Sequence, residues 1–117
     1  MRILLVEDSD DFCELLHLRM RKRFKAEFII ARGGRQASEL LDAHEIDLVV
    51  SDFHMPSGNG LWLYRYMRRH FPLIPLIMFT SAPYEVNIET NQILRAVVEK
   101  PDFKSLFTHI EEAVEFI

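Results

Sequence analysis

The sequence predicts an α/β fold: a doubly wound parallel sheet with helices on both faces, three layers deep in the order α/β/α. Strand-like apolar runs fall at about 2–7, 27–31, 46–51, 75–80 and 94–98, and the segments between them carry helical spacing. Alternation of this kind implies right-handed crossovers and a parallel sheet covered on both sides. The runs are continuously apolar, as strands buried on both faces are. At 117 residues, 49% hydrophobic and 27% charged, the chain is long enough for one domain, taken as 1–117, with a core that needs no staples.

The elements follow in order. The first run, Ile3-Leu4-Leu5-Val6, ends on Glu7-Asp8. Ser9 is placed to cap the first helix, whose inner face would include Phe12, Leu15, Leu16 and Met20, with Cys13 half-buried as packing. The second strand leads through Gly33-Gly34 to a helix with Ala37, Leu40 and Leu41 inward. The third run, Val49-Val50-Ser51, ends on Asp52, followed by a Met55-Pro56 turn and a loop containing Gly58 and Gly60. Asn59-Gly60 opens a third helix with Leu61, Tyr64, Met67 and Phe71 on one face. The fourth run, Leu76-Ile77-Met78-Phe79, ends in Thr80-Ser81. Between 84 and 93 stand Val86, Asn87, Ile88, Thr90 and Asn91, all mediocre helix formers, so a short or mobile fourth helix is expected there. The fifth run ends in Glu99-Lys100-Pro101, and Phe103, Leu106, Phe107, Ile110, Val114 and Ile117 form the apolar stripe of the last helix.

Open parallel sheets place their active sites at the C-terminal edge of the strands. If these strands are parallel, Glu7, Asp8, Asp52, Thr80 and Lys100 converge there. Three carboxylates so close repel unless they share a cation or take up a proton. Mg²⁺ would resolve the crowding with oxygen ligands and retained waters, and a backbone carbonyl after Asp52, that of His54, could add a ligand. Lys100 adds positive charge, and the cations together would favour a phosphate and stabilise charge in its transfer. Thr80 offers a hydroxyl to a phosphate oxygen. Lys100-Pro101 could be a cis peptide that aims the lysine. Taken singly, each residue has a mundane reading: a helix-capping acid, a surface lysine, a strand-end hydroxyl. Their joint placement after four different strands carries the signal.

These residues resemble the receiver domain of two-component response regulators, over nearly the whole chain. The acid pair matches Glu7-Asp8. The family's aspartate, Met-Pro and glycine pattern matches Asp52, Met55-Pro56 and Gly60. Its hydroxyl and Lys-Pro match Thr80 and Lys100-Pro101, and its Ala-x-x-Gly-x-x-Ala pattern matches Ala31, Gly34 and Ala37. The resemblance implies a flavodoxin-like (βα)5 fold with strand order 2-1-3-4-5. It implies that Asp52 accepts a phosphoryl group from a sensor histidine kinase or phosphotransfer protein. Asp8 would bind Mg²⁺ directly, Glu7 would do so through water, and Thr80 and Lys100 would hold the phosphate. The chain would be a signalling domain and not an enzyme, acting on an output domain or partner protein. Two positions depart from the family. Val97 stands where an aromatic usually swings inward on phosphorylation, and Ser81 replaces a commonly smaller residue.

Other classes fit less well. A haloacid-dehalogenase-like phosphatase also uses an aspartate, Mg²⁺ and a lysine, but needs a second aspartate where His54 stands. The chain could be the receiver part of a larger DNA-binding regulator, although nothing in it resembles a recognition helix. The net charge of −4 carries no nucleic-acid signature. Arg19, Arg21, Lys22, Arg23 and Lys25 suit the C-terminus of a helix, or docking to an acidic partner. A lone cysteine, no span-length apolar run and no signal peptide point to the cytosol, with no membrane contact. The five histidines lack metal-ligand spacing. Trp62 and Tyr66 lie one turn apart and off the expected inner stripe. They either pack on Met55-Pro56 and the loop, or meet a partner protein, another domain or a second copy.

Overall fold

The apolar runs become strands in a computed structural model that describes residues 1–115. β1 (Arg2–Val6), β2 (Glu27–Ala31), β3 (Leu48–Ser51), β4 (Leu76–Thr80) and β5 (Leu94–Glu99) form one parallel sheet in the order β2-β1-β3-β4-β5. This is the flavodoxin-like order. Every residue of β3 and β4 is buried, whereas the edge strand β2 buries only Ala31 fully. Val6 pairs with both Ala31 and Ser51, so the residues that follow β1 and β3 emerge side by side. The strand order reverses between those two strands, where doubly wound sheets open a crevice.

The pleat sends alternate side chains to opposite faces. On one face Ile3, Leu5, Val50, Ile77 and Phe79 pack against α1 (Asp10–Arg23) and α4 (Phe103–Val114). On the other, Leu4, Val6, Val49 and Met78 pack against α2 (Gly34–Ala43) and α3 (Gly60–His70). Ser9, Asn59 and Asp102 cap α1, α3 and α4 through their side-chain oxygens. Nothing fills the helix expected at 84–93. The chain makes a three-residue 3₁₀ turn, Pro83–Glu85, and then runs without helix to β5. Among the described residues there are therefore five strands and four α-helices.

Smaller corrections concern which side chains face inward. Leu15 is exposed while Cys13 beside it is fully buried, so the inner stripe of α1 runs through Cys13, Leu16 and Met20. On α3, Leu63 takes the core position expected for Leu61, which is half-buried. Leu40 and Phe107 are also half-buried, and Ala113 joins the core of α4. The expected contribution of Ile117 lies outside the described residues.

Candidate functional site

β1, β3 and β5 end at one edge, and each hands over a charged residue. Glu7 is held by its own N–H, which donates to the Ala31 carbonyl at 3.0 Å. The Asp52 N–H donates to the Val6 carbonyl at 2.9 Å, and the Lys100 N–H to the Thr80 carbonyl at 2.9 Å. The sheet's own ladder thus continues one residue past the strands and fixes these backbones.

The side chains converge on one ammonium. Lys100 Nζ donates to Glu7 Oε1 and, at 3.1 Å, to Asp52 Oδ2. It also sits 4.2 Å from the centre of the Phe12 ring, which shields it from solvent. Asp52 Oδ1 accepts from the Phe53 N–H at 2.6 Å, and Glu7 Oε2 from the Ser9 N–H at 3.2 Å. Lys100-Pro101 is a cis peptide. Glu7 is almost fully buried, Asp52 half-buried and Asp8 exposed. Burial pushes the Glu7 carboxyl above its ordinary value, and the hydrogen bond and charge of Lys100 only partly pull it back.

Glu7, Asp8 and Asp52 each place a carboxylate oxygen within 4.8 Å of the others. Three carboxylates against one ammonium leave an excess of negative charge, and all the donors are hard oxygens. That donor set fits a hard divalent cation such as Mg²⁺.

Thr80 is fully buried at the end of β4, and its Oγ1 accepts from the Ala82 N–H at 3.2 Å. His54 is exposed, and its side chain meets Glu85 of the 3₁₀ turn across the mouth of the site. That contact was not legible in the sequence, because it joins loops 31 residues apart. Val97 is half-buried against the α2–α3 side of the core.

The loop between Asp52 and α3 is clamped onto α2. The Gly34 N–H donates to the Gly58 carbonyl at 2.8 Å, and a Cβ on Gly34 would lie 2.6 Å from that oxygen. Gly58 itself has φ +84°, a conformation that favours glycine. The glycines therefore set the path that leads away from Asp52.

The expected exposed pair on α3 is half-buried. Trp62 and Tyr66 stack on each other with centroids 5.6 Å apart and 13° between planes. Tyr66 also donates its hydroxyl to Asp42 Oδ1 at 2.7 Å.

Comparison with known proteins adds the evolutionary context. The family described as response regulator receiver domain matches residues 3–111. The response regulator protein PilR of Pseudomonas aeruginosa is 35% identical over 80 residues, covering 68% of this chain and 18% of that protein. The chemotaxis protein CheY1 of Helicobacter pylori is 31% identical over 84 residues, covering 69% of this chain and 68% of that protein. The transcriptional regulatory protein GlrR of Escherichia coli is 27% identical over 116 residues, with 97% of this chain and 26% of that protein covered. The chain thus spans about a quarter or less of PilR and GlrR. Among solved structures, the response regulator TrrA of Thermotoga maritima, in complex with Mg²⁺-BeF, superimposes with a TM-score of 0.85 at 25% identity. That match covers 96% of this chain and 97% of the other. No described helix is long and apolar enough to cross a membrane.

Proposed function

The chain belongs to the response regulator receiver domain family, and from its site we propose that it is a phosphoacceptor in a two-component phosphorelay. Asp52 takes a phosphoryl group from a phosphohistidine on a sensor histidine kinase or phosphotransfer protein. The N–P bond breaks, an Asp52 oxygen forms the new O–P bond, and the departing imidazole nitrogen keeps the electron pair and takes up a proton. One observation carries this reading: Lys100 Nζ is shared between Glu7 and Asp52, beside a trio of carboxylates with excess negative charge.

Glu7, Asp8, Asp52 and the backbone carbonyl of His54 would hold Mg²⁺. When bound, the ion screens the negative charge of phosphate and carboxylate from each other. Lys100 is already placed to exchange one carboxylate contact for a phosphate oxygen. Thr80 Oγ1 accepts from Ala82 and keeps its own hydrogen to donate. Val97 has no ring to swing inward, so the response to phosphorylation runs through Thr80 and the connection after it.

Residues 1–117 act as the receiver unit, in the cytosol. The output is an attached domain or a separate partner, a reading supported by the length of PilR and GlrR beyond the matched part. The test is intact mass after incubation with acetyl phosphate, with and without Mg²⁺. The protein gains one phosphoryl group only with Mg²⁺, and Asp52→Asn gains none. Unchanged labelling of that variant overturns the assignment.

A further inference from the structure

The outer face of α3 carries a second constellation, away from the phosphoacceptor edge. Trp62, Arg65, Tyr66, Arg69 and His70 line an open groove of about 280 Å³. Their spacing, i, i+3, i+4, i+7 and i+8, puts them on one helical stripe. Arg35 of α2 joins it, its guanidinium 5.4 Å from the Trp62 ring centre.

Among the described residues the cations fall into two groups, those paired with a carboxylate and those, such as Arg21 and Lys22 of α1 and the arginines of this groove, that are exposed and in no ion pair. Arg2, Arg23 and Arg32 each meet a carboxylate. Among the described residues, no ion pair engages Arg35, Arg65 or Arg69, and all three are exposed. The nearby Asp42 is taken by the Tyr66 hydroxyl. A chain of net charge −4 thus presents a local basic face built on two aromatic rings. Trp, Tyr and Arg are the residues most enriched at the energetic centres of protein interfaces.

We propose that this groove docks an acidic segment of a partner protein. Carboxylates of the segment pair with Arg65, Arg69 and Arg35, and its apolar side chains lie against the edges of Trp62 and Tyr66. Ring geometry favours protein over nucleic acid. Trp62 stacks on Tyr66 and has Arg35 5.4 Å from its centre, and Tyr66 has His70 at 4.6 Å, so a base would have to compete with neighbours both rings already hold. The overall negative charge also disfavours a polyphosphate backbone.

Trp62 is the only tryptophan of the chain, so its fluorescence reports on the groove alone. The probe is a synthetic peptide of glutamates interspersed with leucines, titrated into the whole chain at low salt. Saturable binding is expected, weakening as salt rises. Arg65→Glu/Arg69→Glu should weaken it by at least about tenfold, a like-charge reversal at the interface. Arg65→Gln/Arg69→Gln should give a smaller loss, and Arg21→Glu/Lys22→Glu none. Equal binding by the Arg65→Glu/Arg69→Glu variant overturns the proposal. So does tighter binding of an oligothymidylate than of the peptide. Self-association in sedimentation that the same variant abolishes would also overturn it, making a second copy the occupant.

Discussion

Leaving β3, the chain loops past Asp52 and then builds the eleven-residue helix α3 before it reaches β4. Leaving β4, it makes a three-residue 3₁₀ turn and crosses to β5 without a helix. The two connections flank the same strand and cover the same face of the sheet. α3 buries Leu63, Tyr64 and Met67 in helical spacing. The second connection leaves Val86 and Ile88 half-buried with Asn87 and Glu89 exposed, an alternation of period two that suits extended backbone.

Asn91 supplies the reason. Its Oδ1 accepts from the N–H groups of Ile93 at 2.8 Å and Leu94 at 3.0 Å, and its Nδ2 donates to the Glu89 carbonyl at 3.0 Å. Local bonds of this kind compete directly with helical ones. The same Nδ2 donates to the Tyr64 hydroxyl at 2.9 Å, so the helix-free connection is buttressed by α3. A crossover can therefore be covered by a polar bracket and two alternating apolar side chains where β-branched residues disfavour a helix.

The largest effect that separates the two connections is on stability. Leu63→Ala, at a fully buried site, should cost about 2–5 kcal/mol in urea unfolding. Ile88→Ala, half-buried, should cost about 1–2 kcal/mol, because less apolar surface leaves water there. Equal costs would make the second connection as much a part of the core as α3.

Asn91→Ala tests the bracket itself. The loss should be about 1 kcal/mol for the set of bonds removed. Amide exchange should accelerate at residues 86–94 and stay unchanged in α3. Acceleration that spread through 60–70 would show that the two connections open together.

The contrast also predicts where a signal travels. Beryllofluoride with Mg²⁺ should shift NMR resonances mainly in residues 53–60 and 80–93, since order and disorder in a marginal segment is a recognised mode of switching. Changes centred on 94–98, with little at Thr80, would place the response in β5 instead.

The smallest effect comes from pH and lies on the opposite face, so it should touch both connections alike. Burial, assisted by the charge of Arg21, lowers the His17 imidazole below its ordinary 6.5. The unfolded chain therefore takes up this proton at higher pH than the folded protein does. Stability from this group is complete above about 6.5 and declines as pH falls through the folded value. His17→Gln should flatten that slope slightly. A slope that differed between probes in α3 and in residues 81–93 would break the assumption that both report one unfolding transition.

Much of the site was legible because strand ends announce themselves. An apolar run that stops on Glu7-Asp8, Asp52, Thr80 or Lys100 puts those residues at one edge of any parallel sheet, whatever the details of packing. The fate of 84–93 was less legible. Poor propensity signalled a weak helix, but only the Tyr64 hydroxyl and the local bonds of Asn91 decided for none. The contact of His54 with Glu85 and the stacking of Trp62 on Tyr66 were likewise hidden, since each depends on what a neighbouring element or loop leaves uncovered.

The sequence by itself determined the class of fold, the parallel sheet and the identity of the residues at its edge. Periodicity and strand ends are local properties, and local pattern encodes them. Tertiary structure decided which of Leu61 and Leu63 enters the core and whether a helix precedes β5. It also decided that one ammonium is shared between Glu7 and Asp52. Those outcomes turn on distances between residues far apart in the chain, and such distances exist only once the sheet has brought its edges together.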